Sequence, residues 1–216
     1  EPLPLKFDII AEIQTITDSI LKALNNYYNG FPSVAYSILE NAFKINNFHL
    51  LNLLPQLQLE VGNIRMYRIR PGVFDNDKDL FHVPFEQRYK CANYRFSING
   101  TPSLYCGASL QTCILENRIN SEKDITLAQF VFPRKGRIAF IDLALPYTKR
   151  MLTYWEEYSL VLFYPLIVSC GLKVKREDYP FKPEYIIPQL FYQILRQNVS
   201  KESGLSLIHI SEPTRP

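Results

Sequence analysis

The apolar residues of this 216-residue chain keep two different periods, and the change between them limits the fold more than any single motif does. Over residues 6–29, Ile9, Ile13, Ile16, Ile20, Leu24 and Tyr27 recur every three or four positions, which sets them on one face of an amphipathic helix. From Ile64 to Arg70 the run IRMYRIR alternates apolar and basic residues, as a half-buried strand does. Residues 125–132 and 137–142 read as two more strands, joined by a Pro-Arg-Lys-Gly turn. Helical spacing returns over 150–170 and 181–198. Helices at both ends with strands between them predict an α+β protein.

Breakers set the boundaries. Asn29-Gly30 followed by Pro32 ends the first helix, and Ser33 is placed to cap a second one with the stripe Tyr36, Leu39, Ala42 and Phe43. A leucine-rich link from Leu50 to Leu59 leads into the body, so residues 1–60 are expected to form a helical extension. Pro165 interrupts the helical segment around Trp155, and Gly171 stops it. The last helix turns Ile186, Leu190, Ile194 and Leu195 inward, with Pro188 marking a kink or a late start.

Composition excludes several classes. Hydrophobic residues at 47% and aromatics at 13% argue for a packed globule and against disorder. The net charge of +3 is unevenly spread, because residues 1–60 hold three lysines against six acids. The mildly basic remainder suits a phosphate-bearing small molecule, but without a basic run it does not suit direct nucleic-acid binding. A helical nuclease in the extension would need an arginine, and none precedes Arg65. Cys91, Cys106, Cys113 and Cys170 form no C-x-x-C pair, and His49, His82 and His209 lie at no ligand spacing, so buried thiols and no metal are expected. No run reaches the ~18 apolar residues of a membrane span, which makes a cytoplasmic protein the expectation.

The stretch from Asn93 to Glu116 gathers polar chemistry around a strand, a tight corner and a helix start. Arg95 precedes a Gly-Thr-Pro turn; its guanidinium suits a phosphate, or solvent. Tyr105 ends the apolar run, as a core aromatic or a ring beside a ligand. Ser109 is most economically a helix N-cap. Glu116 follows Cys113 by three and Thr112 by four, so it is expected on their face beneath the strand, where a carboxylate is costly unless used. Upstream, Arg68 shares a strand face with Met66 and Arg70, opposite Arg65, Tyr67 and Ile69. The long loop 71–92 holds His82, read as a hydrogen-bonded structural histidine or a pocket residue.

"YRFSINGTPSLYCGASLQTCILEN" resembles the core of the RES-domain family: an Arg before a Gly-x-Pro turn, a strand ending in Tyr, a Ser, and a Glu eleven residues after the Tyr. "MYRIR" resembles that family's first arginine motif, and "LFHVPFEQR" and "FKPEYIIPQL" resemble flanking motifs of a longer branch. The likeness covers about residues 64–204, so 61–204 is expected to be a RES-like NAD-binding domain with an ADP-ribosyl-transferase-like mixed sheet. Leu205 to Arg215 resembles translated sequencing adapter, so 205–216 is expected to be an artefactual tail standing where the family's serine strand would continue.

The resemblance implies an enzyme that consumes NAD as a substrate and carries no cofactor. Arg68 would grip the diphosphate with Arg95 assisting, Tyr105 would lie beside nicotinamide, Ser109 would touch ligand, and Glu116 would stabilise the oxocarbenium-like ribose. Water or inorganic phosphate would attack. The absence of a Rossmann glycine fingerprint agrees with NAD being consumed and not used as a hydride carrier. The resemblance further implies a bacterial toxin paired with an antitoxin protein, and leaves oligomerisation open. An ADP-ribosyltransferase acting on a macromolecule and a non-catalytic nucleotide-binding module remain the alternatives.

Overall fold

In the computed structural model, residues 9–45, 48–60, 62, 64–117, 124–131, 137–143 and 152–202 are described. The expected turn between the strands of 125–132 and 137–142 and the expected tail 205–216 lie outside them. Helices and strands are both present, so the protein is α+β, and the chain divides into two compact units. One draws its described residues from Glu1–Pro55 and Asp142–Gly204, the other from Gln56–Ile141.

The first unit is helical apart from a short ladder. Helix α1 (Ile9–Tyr28) buries Ile16, Ile20 and Ala23 from its apolar stripe. It ends where Gly30 takes a φ of 84° and the Phe31 N–H reaches back to Asn26 O at 2.9 Å. Helix α2 (Pro32–Ala42) starts on Phe31 with proline at its head, so Ser33 lies inside the first turn and is not the cap. Strands β1 (Lys44–Ile45) and β2 (Phe48–His49) form the ladder.

Helix α4 (Tyr154–Leu162) opens on a capping box in which Thr153 and Glu156 satisfy each other's backbone N–H groups. Helix α5 (Tyr164–Gly171) follows after a break at Phe163, with Pro165 in its first turn. Helix α6 (Ile186–Glu202) keeps Pro188 in its opening turn, where a missing N–H costs little, so the proline marks a start and not a kink. Phe43, Phe163 and Phe191, each fully buried, meet at the centre with ring centroids 6.2 Å and 5.8 Å from Phe43. Burial of each such ring contributes about 1.5–3 kcal/mol. The Tyr36 hydroxyl on α2 donates to Gln197 Oε1 on α6 at 2.7 Å.

This grouping differs from the expected boundary after residue 60. The stripe of Ile186, Leu190, Ile194 and Leu195 is buried with the N-terminal helices, so the C-terminal helices belong with the extension and not with the strands. Two amphipathic segments far apart in sequence each bury an apolar face in one core.

The second unit carries the strands. Strand β3 (Gln56–Glu60), expected to be part of a link, pairs antiparallel with β6 (Arg137–Ile141). Strand β4 (Arg65–Pro71) pairs antiparallel with β5 (Ile125–Val131). The strands expected as neighbours across a turn thus each pair with a strand earlier in the chain. Ile64, Met66, Cys106 and Phe140 form the buried cluster, flanked by Leu59, Leu104 and Phe130. Helix α3 (Leu110–Asn117) completes the unit.

Candidate functional site

Strand β4 organises the site. Its register sets Met66 opposite Phe130, Arg68 opposite Ala128 and Arg70 opposite Thr126, so both arginines share the face of the buried Met66, as the alternation predicts. On the far edge of β4, Tyr67 and Gly107 exchange backbone hydrogen bonds of 2.9 and 2.7 Å. This bridge brings the Cys106–Gly107 corner alongside Arg68.

The loop after β4 folds back across the arginine face through two 3-10 turns, Asp77–Leu80 and Phe85–Lys90. Phe81 stands edge-on to Phe130 at 5.2 Å, and Arg68 Nη1 donates to Phe81 O at 2.9 Å. His82 meets the carbonyl of Val83 through Nδ1 at 2.9 Å and stacks edgewise between Phe81 and Phe85, which is the structural reading. Burial, then the neighbouring Arg70, lowers the pKa of Arg68, while Cys106 and the Tyr94 phenol work the other way. Arg68 stays cationic, and an anion arriving there would relieve both costs.

The Arg95 segment is pinned by Ser97, whose hydroxyl accepts from Tyr94 N at 3.0 Å and donates to Tyr94 O at 2.9 Å. Gly100, at φ 74°, makes the expected turn. Arg95 is half-buried beside the buried Phe96 and Ser97. Tyr94 lies 4.9 Å from Tyr105, ring to ring, so the half-buried Tyr105 is part of an aromatic pair rather than a lone core residue. Ser103 Oγ in the same stretch is buried with no hydrogen-bond partner among the described residues.

At the corner Ser109 does cap a helix: its Oγ accepts from Thr112 N at 3.1 Å and pairs with Thr112 Oγ1 at 2.9 Å. Cys113 is buried, and its thiol donates to Tyr67 O at 3.1 Å, fastening α3 to β4. Gly107 is required here, since a Cβ would sit 2.7 Å from Cys113 Sγ. Burial raises the Cys106 thiol to about 11 despite the nearby Arg68. Burial also raises Cys113, and the Glu116 carboxylate adds to it.

Glu116 is exposed, which corrects the expectation that it lies beneath the strand. Three residues on from Cys113 it is rotated by about 60° and stands in the last turn of a two-turn helix, whose contact with β4 the cysteine already fills.

Arg68, Tyr94, Tyr105 and Cys106 are therefore linked directly or through shared contacts, while Ser109 and Glu116 reach the corner through α3. Tyr94, Arg70, Gly107 and Cys113 are the residues sequence reasoning missed, because each owes its place to a partner in another segment. Among the described residues no three His, Cys, Asp or Glu side chains could hold a metal ion. No helix among the described residues is long and apolar enough to cross a membrane.

Fold and site define an α+β protein with a partly desolvated arginine at a strand–corner–helix junction. The chain is similar, at 28% identity over 214 residues, to a protein of Bacillus subtilis (strain 168) named "Putative toxin YopC"; the match covers 89% of this chain and 47% of that protein. The chain thus spans about half the length of the curated relative it matches. No family model matches, and no solved structure matches.

Proposed function

We propose that the chain is a toxin-like enzyme that cleaves the nicotinamide–ribose bond of NAD. The observation that carries the reading is Arg68, a half-buried cation beside the Tyr94–Tyr105 ring pair and the corner leading into α3. Its fork would bind the diphosphate, with Arg95 assisting and Ser109 near the ligand; Tyr105 would pack on nicotinamide or its ribose. The carbon–nitrogen bond would break with its electron pair leaving on nicotinamide, and the Glu116 carboxylate would stabilise the ribosyl cation until water or phosphate adds. Similarity to a protein named as a toxin supports the toxin part of this reading, and with it an antitoxin as partner.

The exposure of Glu116 favours one further reading, a macromolecular acceptor for ADP-ribose at an open site. Nicotinamide release from NAD, with and without inorganic phosphate, tests both. It should be followed in the 216-residue chain. Release that falls about 10²-fold in Glu116→Gln supports the enzyme. Label from adenine-labelled NAD appearing on protein or nucleic acid would favour the transferase. Absence of both release and transfer would leave a nucleotide-binding module.

A further inference from the structure

Strand β4 presents two arginines on one face, and only Arg68 has a role so far. Arg68 and Arg70 stand opposite Ala128 and Thr126, two residues apart, so their Cα atoms are separated by roughly 6.6 Å along the strand. Neither has a carboxylate within 4.0 Å among the described residues, although the covering loop contains Asp75, Asp77 and Asp79. Their partners are neutral: Arg68 Nη1 donates to Phe81 O at 2.9 Å, and Arg70 Nη1 donates to Asp79 O. A carbonyl satisfies a donor without cancelling a charge, and each guanidinium has five N–H groups. The two cations also feel each other across the face.

Arg70 is held in place as well. Its guanidinium carbon lies 4.3 Å from the Phe74 ring centroid, a cation–π contact. Phe74 is fixed in turn by its N–H, which donates to Thr126 Oγ1 at 3.0 Å, while that hydroxyl donates to Gly72 O at 2.7 Å. This cation is positioned before any ligand arrives, which lowers the ordering cost of binding.

We infer that Arg70 joins Arg68 in a two-guanidinium clamp that selects a diphosphate over a single phosphate. This rests on the reading of the β4 face as the place where the dinucleotide's diphosphate binds. Two fixed cations on one strand face match an anion whose charge is divided between two linked phosphorus centres. A lone phosphate can engage only one of them fully.

Calorimetric titration of the full chain with inorganic pyrophosphate and with orthophosphate tests the clamp. Wild type should bind pyrophosphate at least tenfold more tightly than orthophosphate. Arg70→Gln, which keeps a donor for Asp79 O but loses the charge, should weaken pyrophosphate about tenfold and erase most of that preference. Arg65→Gln is the control, since Arg65 lies on the opposite face and bonds to Gly62 O and Ile64 O. It should bind both anions as wild type does. Equal binding of the two anions by wild type, an unchanged preference in Arg70→Gln, or an equal loss in Arg65→Gln would each overturn the inference. Circular dichroism of each variant guards against unfolding, and Arg70→Lys, which keeps the charge without the planar fork, should retain part of the preference if the first variant does not fold. Failure of NAD cleavage alongside an Arg70-dependent pyrophosphate preference would remove the enzymatic reading and keep the clamp; NAD cleavage with no such preference would do the reverse.

Discussion

Replacing Gly107 with alanine should loosen the corner on which the site depends, and the structure says by how much. The new Cβ would fall 2.7 Å from Cys113 Sγ, 3.2 Å from Ser109 O and 3.3 Å from Thr112 Cγ2. Cys113 has a single side-chain torsion, and its thiol is committed to Tyr67 O, so turning it away breaks the tie between α3 and β4. Moving Gly107 instead strains the paired hydrogen bonds to Tyr67. Where space allows, Gly→Ala gains about 0.4–1 kcal/mol by restricting the unfolded chain. Overpacking costs about 1–3 kcal/mol, so the net effect should be destabilising.

Cys113→Ala removes the closest atom at a loss of about 0.8 kcal/mol of burial, and the remaining contacts at 3.2 and 3.3 Å need shifts of only a few tenths of an ångström. The double variant should therefore be more stable than the sum of the singles by about 1 kcal/mol. Urea unfolding followed by far-ultraviolet circular dichroism measures all four corners of the cycle. Costs that add to within about 0.5 kcal/mol would refute the argument that the sulfur is what forbids a side chain at residue 107.

Four further outcomes follow from the packing. Because burial lifts the Cys106 thiol to about 11, the folded chain keeps a proton that the unfolded chain loses from about pH 9; stability should be intact below pH 9 and fall as pH rises toward 11, which denaturant midpoints across that range would show. Iodoacetamide at pH 8 with mass-spectrometric readout should label the half-buried Cys91 well before Cys106, Cys113 or Cys170. Phe191→Ala should cost about 3–5 kcal/mol, since the ring is fully buried against Phe43; a thermal midpoint within a degree or two of wild type would contradict the described core. Ser109→Ala should cost about 1 kcal/mol through the lost cap on α3 while Ser109→Asp should retain most of the stability, as chemical denaturation can tell.

Local patterns carried much of this in the sequence. The helical stripe of α1, the alternation that sets Arg68 and Arg70 on one face of β4, the inward residues of α6 and the cap at Ser109 all follow from backbone periodicity and hydrogen-bonding capacity within a few residues. Those rules act along the chain and need no distant partner. Where two local solutions competed they were weaker: Ser33 could cap a helix, but proline at the preceding position had already begun it.

What only the tertiary structure decided was who meets whom. Strands β5 and β6 pair with β4 and β3, Tyr94 meets Tyr105 across a loop, and the loop after β4 returns to place Asp79 and Phe81 carbonyls on the arginines. The C-terminal helices join the N-terminal ones because each must bury an apolar face, and an amphipathic stripe specifies a need for cover without naming the cover. Glu116 shows the same limit from the other side. Helical spacing fixes its angle to Cys113, but its exposure follows from Cys113 taking the contact with β4, and that is set by packing between segments and not by the period of either.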